Sequence, residues 1–502
     1  MAPDNLYAAH AARDARFDGV YFLGVKSTGV YCRSVCPAKT PKRVNCVFFM
    51  GAAAAEREGF RPSLRCLPEC APGVRLPDLA DAHGLGAWAT RELMSGVRRG
   101  GEAKGVEEIA ARAGVTSRHL RRLVLAHAGA TPIEIVQTQR LLMAKQLAGQ
   151  TKLSMDGVAR ASGFGSVRRL QTAFRERYGL SIRDVRRKGG EVANGGVLTL
   201  QVGYRPPMQW EHMLEFLAGR AIPGVEVVGD GVYARTWRSA SDPKVSGWWR
   251  VRLDAARHRV MIEVSEGLAM EAGEIVATVR RMFDLDAQPQ VIDEWLARSE
   301  RFAASVKQAP GLRIPGAADG FECGVRAILG QQVTLKAATT LMARVASKWG
   351  APLETGVAGL TRLTPTAAKM STVSVDELGE LGVIRQRGKS IIALAEMMKK
   401  QSKDGGVPQR AEGMIEELQE VPGIGPWTAR YIAMRAWGSP DVFVSGDLVL
   451  RKMLGVERDR EAERIAEAWR PWRSYAVMHL WRMASQDAQL SKSKVGTRRK
   501  QK

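Results

Sequence analysis

The sequence predicts a multidomain protein, mainly α-helical, with one small α+β unit in its middle. Three observations predict it. A chain of 502 residues is too long to be organised around a single core. Apolar residues recur at helical spacing before about 190 and after about 300, and alternate at strand spacing in between. Five of the six cysteines (Cys32, Cys36, Cys46, Cys66 and Cys70) fall in the first seventy residues and Cys323 stands alone, which sets off an N-terminal unit. In a reducing compartment, clustered cysteines are more often metal ligands or nucleophiles than disulfides.

Charge narrows the partner. The opening MAPDNLYAAHAARDARFDG has no basic segment leading an apolar run, so it does not read as a signal peptide. No apolar stretch reaches the length of a membrane span. The expectation is a soluble, cytoplasmic monomer with no membrane partner. A formal charge of +23 points to a polyanion. The excess is concentrated: residues 81–190 hold 20 Lys/Arg against 9 Asp/Glu. The final SKSKVGTRRKQK adds a low-complexity basic run, so 489–502 is expected to be a disordered tail.

The order of elements follows from two breaks. PECAPGVRLPD closes the cysteine unit, 1–78, and RRKGGEVANGG is a glycine-rich hinge that closes a helical unit, 79–190. Within that unit Val106, Ile109, Ala110 and Ala113 follow i, i+3, i+4, i+7; Gly114 breaks the helix, and a second opens after Thr116 with Leu120, Leu123 and Val124 inward. Arg118, His119, Arg121 and Arg122 then point elsewhere, as in a helix-turn-helix. The pattern recurs around Gly163, with Val167, Leu170, Phe174 and Tyr178 inward and Arg168 and Arg169 outward. Thr131, Pro132 and Glu134 start the helix in between with a capping box. Two such units joined by a long helix, down to ASGFGSVRRLQTAFRERYG, resemble the AraC-type DNA-binding domain.

From 196 to 300 the pattern changes. LTLQVGYRP and HRVMIEVSEG alternate like half-buried strands, while Trp210, Met213, Leu214 and Leu217 form a helical stripe. Residues 301–488 are helical. There LQEVPGIGPWTARYIAMRAW reads as helix, tight turn, helix: Gly423 and Gly425 permit a close backbone approach, and Pro426 starts a helix whose free N–H groups suit a DNA phosphate. This is similar to the helix-hairpin-helix of DNA glycosylases. With PGLRIPGAADGFECGVRAILGQQVT, VFVSGD, PWRSYAVMHLWRMA and YRPPMQWEHMLEFLAGRAIPGVEVV, the stretch from about 197 to 485 resembles the AlkA family of alkylbase glycosylases. The resemblance implies that Asp447 is the catalytic carboxylate, that Trp427, Tyr431 and Trp481 line the base pocket, and that Gln332 stands where the family inserts an apolar wedge. It also implies a monofunctional enzyme, because Trp427 occupies the region where lyases of the superfamily carry a lysine. A fixed carboxylate suits the positive charge that builds on the sugar as the base leaves. Aromatic faces suit a cationic alkylated base such as 3-methyladenine, flipped from the duplex.

FDGVYFLGVKSTGVYCRSVCPAK and EGFRPSLRCLPE are similar to the N-terminal domain of the Ada family, which binds zinc through four cysteines. The resemblance implies one Zn2+, with Cys32 as methyl acceptor from a DNA phosphotriester and Cys36 and Cys66 as further ligands. Where the family has another cysteine, this chain has Ser63. Cys70, four residues after Cys66, is the expected fourth ligand, and Cys46 is the alternative. A zinc domain, a tandem helix-turn-helix and a glycosylase in one chain imply alkylation repair joined to transcription regulation. The expected partners are alkylated DNA, a promoter operator and RNA polymerase. The alternative is a regulator whose C-terminal half only binds DNA.

Overall fold

The structure, a computed structural model, describes residues 2–74, 82–96, 102–188, 197–240, 242–403 and 411–500. Parts of both sequence breaks, 75–78 and 189–196, lie outside the described residues.

Helix α1 (Pro3–Ala11) precedes a four-stranded sheet of order β3-β1-β2-β4. Its strands are β1 (Phe22–Val25), β2 (Val30–Cys32), β3 (Cys46–Phe49) and β4 (Arg61–Pro62), with α2 (Ala52–Arg57) before β4. Leu23 pairs with Cys32 and Gly24 with Tyr31 across β1 and β2. Gly24 has to be glycine, since a Cβ there would lie 2.7 Å from the Phe49 ring and 2.9 Å from that of Phe60.

Seven helices follow: α3 (Ala82–Gly96), α4 (Glu102–Arg112), α5 (Ser117–Ala128), α6 (Pro132–Gln150), α7 (Met155–Ala161), α8 (Val167–Tyr178) and α9 (Ile182–Lys188). The two turns hinge on Gly114 at φ +65° and Gly163 at φ +81°. Thr116 and Ser166 cap α5 and α8 by accepting from the N–H groups of His119 and Arg169. The Thr131–Glu134 capping box closes the start of α6. α6 buries residues around most of its circumference, among them Ile135, Val136, Leu141, Ala144 and Leu147, and exposes Ile133 and Gln137 on one face near its start. It therefore serves two cores. The first helix-turn-helix packs with Trp88, Ile109, Leu120, Val124 and Ile135. The second joins Leu170, Phe174 and Tyr178 to Leu198, Leu200 and Val202 of the next unit, in one continuous core.

That next unit is an antiparallel sheet of order β5-β9-β8-β7-β6, made of β5 (Val197–Gly203), β6 (Glu226–Gly229), β7 (Val232–Arg238), β8 (Ser246–Asp254) and β9 (Arg259–Ser265). α10 (Trp210–Ala218) and α11 (Ala272–Met282) pack against it. The expected strands and the buried stripe Trp210, Met213, Leu214 and Leu217 are in place.

The rest is helical: α12 (Pro289–Leu296), α13 (Glu300–Gln308), α14 (Gly320–Leu329), α15 (Leu335–Trp349), α16 (Ala367–Met370), α17 (Val375–Gly379), α18 (Arg385–Lys403), α19 (Ala411–Glu420), α20 (Pro426–Ala436), α21 (Leu448–Leu454), α22 (Asp459–Ala466) and α23 (Arg473–Lys500). Two cores form. One holds Ile328, Met342, Leu394, Leu418 and Ile432; the other holds Phe302, Phe443, Trp469 and Tyr475. α20 lies between them, giving Ile432 to the first and Ala433 and Met434 to the second. The basic tail, read from the sequence as disordered, continues α23 as far as Lys500. No helix among the described residues is long and apolar enough to cross a membrane.

Candidate functional site

Asp447 is held at the start of α21. Its N–H donates to the Val444 carbonyl at 2.9 Å, closing a turn that follows the buried run Val442–Val444. Its Oδ1 accepts from the N–H groups of Val449 at 3.0 Å and Leu450 at 3.1 Å, so the residue caps the helix. A cap alone faces its helix; this carboxylate also faces a cleft. Trp427 Nε1 donates to Oδ2 at 3.3 Å and Trp481 Nε1 to Oδ1 at 3.4 Å. Trp427 stacks on Tyr431, with ring centroids 5.2 Å apart and planes 17° apart. Tyr431 and Trp481 centroids are 6.3 Å apart. All four residues are half-buried, at the seam marked by α20. The structure thus brings together every residue that the sequence assigned to the base pocket.

Two neighbours escaped the sequence reading. Phe216 of α10 stacks on Trp481 with centroids 6.3 Å apart. Arg435, buried in α20, donates from Nη1 to the Tyr431 hydroxyl at 2.6 Å and lies 4.7 Å from the Phe216 centroid. The one signal for Phe216 was its place off the buried stripe of its own helix, which leaves it to pack against a different core.

Beside the cleft is the hairpin turn. Gly423 has φ +82°, and a Cβ there would strike Ser390 Oγ at 2.0 Å; the close approach expected of this glycine is to α18. Gly425 faces open space and begins α20 as its N-cap, leaving the first N–H groups of that helix without a capping side chain. Gln331 Nε2 donates to the Gly423 carbonyl at 3.1 Å and to Thr428 Oγ1 at 3.0 Å, and Arg387 holds the Gln331 carbonyl. Next to this clamp Gln332 is exposed, at φ +53°.

At the N-terminal end, ligand atoms of Cys32, Cys36 and Cys66 lie within 4.8 Å of one another, all buried. Hydrogen bonding with Cys36 pushes the Cys32 thiol up, and the same contact lowers Cys36 to about 3. Three crowded sulfurs sharing protons in this way are a donor set suited to a thiophilic divalent cation.

Cys70, expected as fourth ligand, is not in this group. Leu67, at φ +51°, turns the chain into a short helix, Pro68–Cys70, whose far side docks on α6. There the Cys70 sulfur accepts from Gln150 Nε2 at 3.4 Å, and burial pushes the thiol up to about 11. Cys46 is also apart, its sulfur 3.3 Å from the Lys42 carbonyl. Ser63 is buried, with its Oγ accepting from the N–H groups of Arg65 at 3.2 Å and Cys66 at 3.4 Å.

Arg118, Arg121, Arg122, Arg168 and Arg169 are all exposed on α5 and α8. Arg121 pairs with Glu107 at 3.1 Å, both about half exposed, and Arg122 donates to His119 Nδ1 at 3.1 Å. Contacts this exposed are weak and leave the cations available.

Four family models match in succession: the metal binding domain of Ada over 5–69, a helix-turn-helix domain over 109–188, the AlkA N-terminal domain over 199–319, and the HhH-GPD superfamily base excision DNA repair protein over 325–473. A protein of Mycobacterium tuberculosis described as "Probable bifunctional transcriptional activator/DNA repair enzyme AlkA" is 37% identical over 95% of this chain and 96% of its own. The chain belongs to this bifunctional AlkA family. This chain carries the zinc unit, the DNA-binding helix-turn-helix and the glycosylase domain, and zinc is the metal of the N-terminal unit. The DNA-3-methyladenine glycosylase 2 of Escherichia coli is 38% identical, matching 56% of this chain and 95% of its own. The 3-methyladenine DNA-glycosylase of Archaeoglobus fulgidus superposes with a TM-score of 0.50 at 20% identity, over 57% of this chain and 98% of that one; it shares the fold.

Proposed function

We propose that this bifunctional AlkA protein hydrolyses the N-glycosidic bond of alkylated bases such as 3-methyladenine, with Asp447 as its catalytic carboxylate. One observation carries the reading: Asp447 receives the indole N–H of both Trp427 and Trp481, so its charge lies within the aromatic cleft. As the C1′–N bond breaks, its electron pair leaves with the cationic base, which becomes neutral. The deoxyribose left behind is positive, and Asp447 stabilises it. Water then adds at C1′ and gives up a proton. Trp427 leaves no lysine at that position to form a Schiff base, which supports a monofunctional reaction. The faces of Trp427, Tyr431 and Trp481 favour a flipped cationic base, and Gln332, which is exposed, would enter the space it leaves. Incubating the full chain with methylated DNA should release free methylated base, and sodium borohydride should trap no covalent adduct. A trapped adduct would overturn the monofunctional reading; DNA binding without base release would favour a C-terminal half that only binds DNA.

The N-terminal unit is read as a methyl acceptor. Cys32, Cys36 and Cys66 would hold the zinc, with the Ser63 hydroxyl against Cys66. Bound zinc keeps cysteine sulfurs as thiolates at neutral pH. The Cys32 thiolate takes the methyl group of a phosphotriester: an S–C bond forms, the O–C bond breaks, and the phosphodiester regains its negative charge. With three thiolates the site passes from −1 to neutral, which weakens repulsion of the DNA backbone. Operator binding through Arg118, Arg121, Arg122, Arg168 and Arg169 would tighten, and recruitment of RNA polymerase to the promoter, by a protein working on cytoplasmic DNA, would follow.

A further inference from the structure

The side chain of Glu56, on α2 of the zinc unit, is fully buried. Four groups from three other elements converge on its carboxylate. Tyr31 Oη donates to Oε1 at 2.9 Å and Tyr178 Oη to the same oxygen at 2.8 Å. Thr138 Oγ1 donates to Oε2 at 2.7 Å, and Arg177 Nε lies 3.5 Å from that oxygen. Tyr31 and Thr138 are 0% exposed and Tyr178 is 2% exposed.

What these partners belong to gives the cluster its meaning. Tyr31 lies on β2 immediately before Cys32. Tyr178 ends α8, the helix that carries Arg168 and Arg169 at its other end, and Thr138 is on α6. A buried carboxylate stripped of water is costly unless its lone pairs are taken up. Here the hydroxyls that take them up come from the strand of the methyl acceptor and from the second DNA-contacting helix. Either tyrosine, moving away, would strip the buried Oε1 of one of its two hydroxyl donors.

We infer that Glu56 is a positioning residue that fixes Cys32 relative to α8, so that the acceptor sulfur and the second helix-turn-helix meet one duplex at a set spacing. The inference rests on Cys32 being the methyl acceptor. Its test has one arm that needs that reading and one that does not.

In the independent arm, backbone hydrogen exchange is followed in the zinc-loaded full chain. Tyr178→Phe removes one hydroxyl from α8 and should speed exchange of the amides at 30–32, in the other unit, by about tenfold, the worth of a hydrogen bond to a buried charge. Glu56→Gln should keep most of the protection, because its oxygen still accepts from both tyrosines while its amide donates to Thr138; Glu56→Ala should not. Unchanged exchange at 30–32 in Tyr178→Phe would overturn the inference.

In the second arm, single-turnover methyl transfer is measured from duplexes carrying one methyl phosphotriester. One duplex spans the zinc unit alone and the other is long enough to reach α8. Tyr178→Phe should slow transfer from the long duplex and leave the short one unchanged, whereas equal slowing of both would mean simple damage to the zinc unit and would overturn the inference. No transfer by the wild type on either duplex would instead refute the reading of Cys32, leaving the exchange result to decide the role of Glu56.

Discussion

Trp481 donates its indole N–H to Asp447 at 3.4 Å from α23, while Trp427 donates to the other carboxylate oxygen at 3.3 Å from α20. Two helices far apart in sequence thus agree on where one negative charge stands. The same carboxylate caps α21, so its structural and chemical roles must be separated by choice of substitution. Asn caps about as well as Asp, whereas Ala forfeits about 1 kcal/mol. Asp447→Asn should therefore keep the melting temperature and Asp447→Ala should lower it, with base release lost in both. Calorimetry alongside a release assay checks this.

The zinc unit gives a sharper division than the spacing of its cysteines implies. Cys70→Ser should retain zinc, because that sulfur faces Gln150 on α6. Cys66→Ser should lose it. Ser63→Cys, beside Cys66, should slow metal loss to a chelator. Zinc content of purified full-length variants checks all three.

Lys145 and Glu69 form a buried ion pair at 2.6 Å, with side chains 1% and 2% exposed, where the end of the zinc unit meets α6. Removing one partner leaves the other charge buried and alone, at a cost of about 3–5 kcal/mol. Lys145→Met should destabilise by that order, and Lys145→Met with Glu69→Gln by much less. Denaturant unfolding of the two variants checks the difference.

Burial pushes the Asp293 carboxyl up to about 6 from its ordinary 3.8, while its Oδ2 accepts from Gly311 N–H at 2.7 Å. The folded chain holds this proton after the unfolded chain has released it. The contribution to stability is therefore present below the unfolded value and is lost as pH rises from about 4 to 6. Asp293→Asn should flatten that fall, as thermal unfolding across the interval would show.

Much of the pocket was legible because it is local. Trp427 and Tyr431 lie within one helix-hairpin-helix stretch whose glycines and proline announce the turn, Asp447 follows ten residues after it, and Trp481 falls in a dense motif of its own. Phe216 and Arg435 were not legible as pocket residues. Phe216 arrives from the α+β unit through tertiary packing, and Arg435 reads as one more helical cation until its buried bond to Tyr431 is seen. Cys70 misled for a related reason. Its spacing from Cys66 suits a ligand, but the left-handed Leu67 turns it onto α6. The periodicity of α8 shows that Leu170 and Phe174 are buried, but cannot show that they share one core with β5.

The central claim is that the Asp447 charge in the aromatic cleft drives base release. Its most direct test is single-turnover release of 3-methyladenine from a defined duplex by wild type and Asp447→Asn, with damaged-DNA affinity measured in parallel. The account predicts unchanged affinity and a loss of about a hundredfold or more in the release rate, the scale of removing one preorganised electrostatic group. Release by Asp447→Asn at the wild-type rate would contradict it.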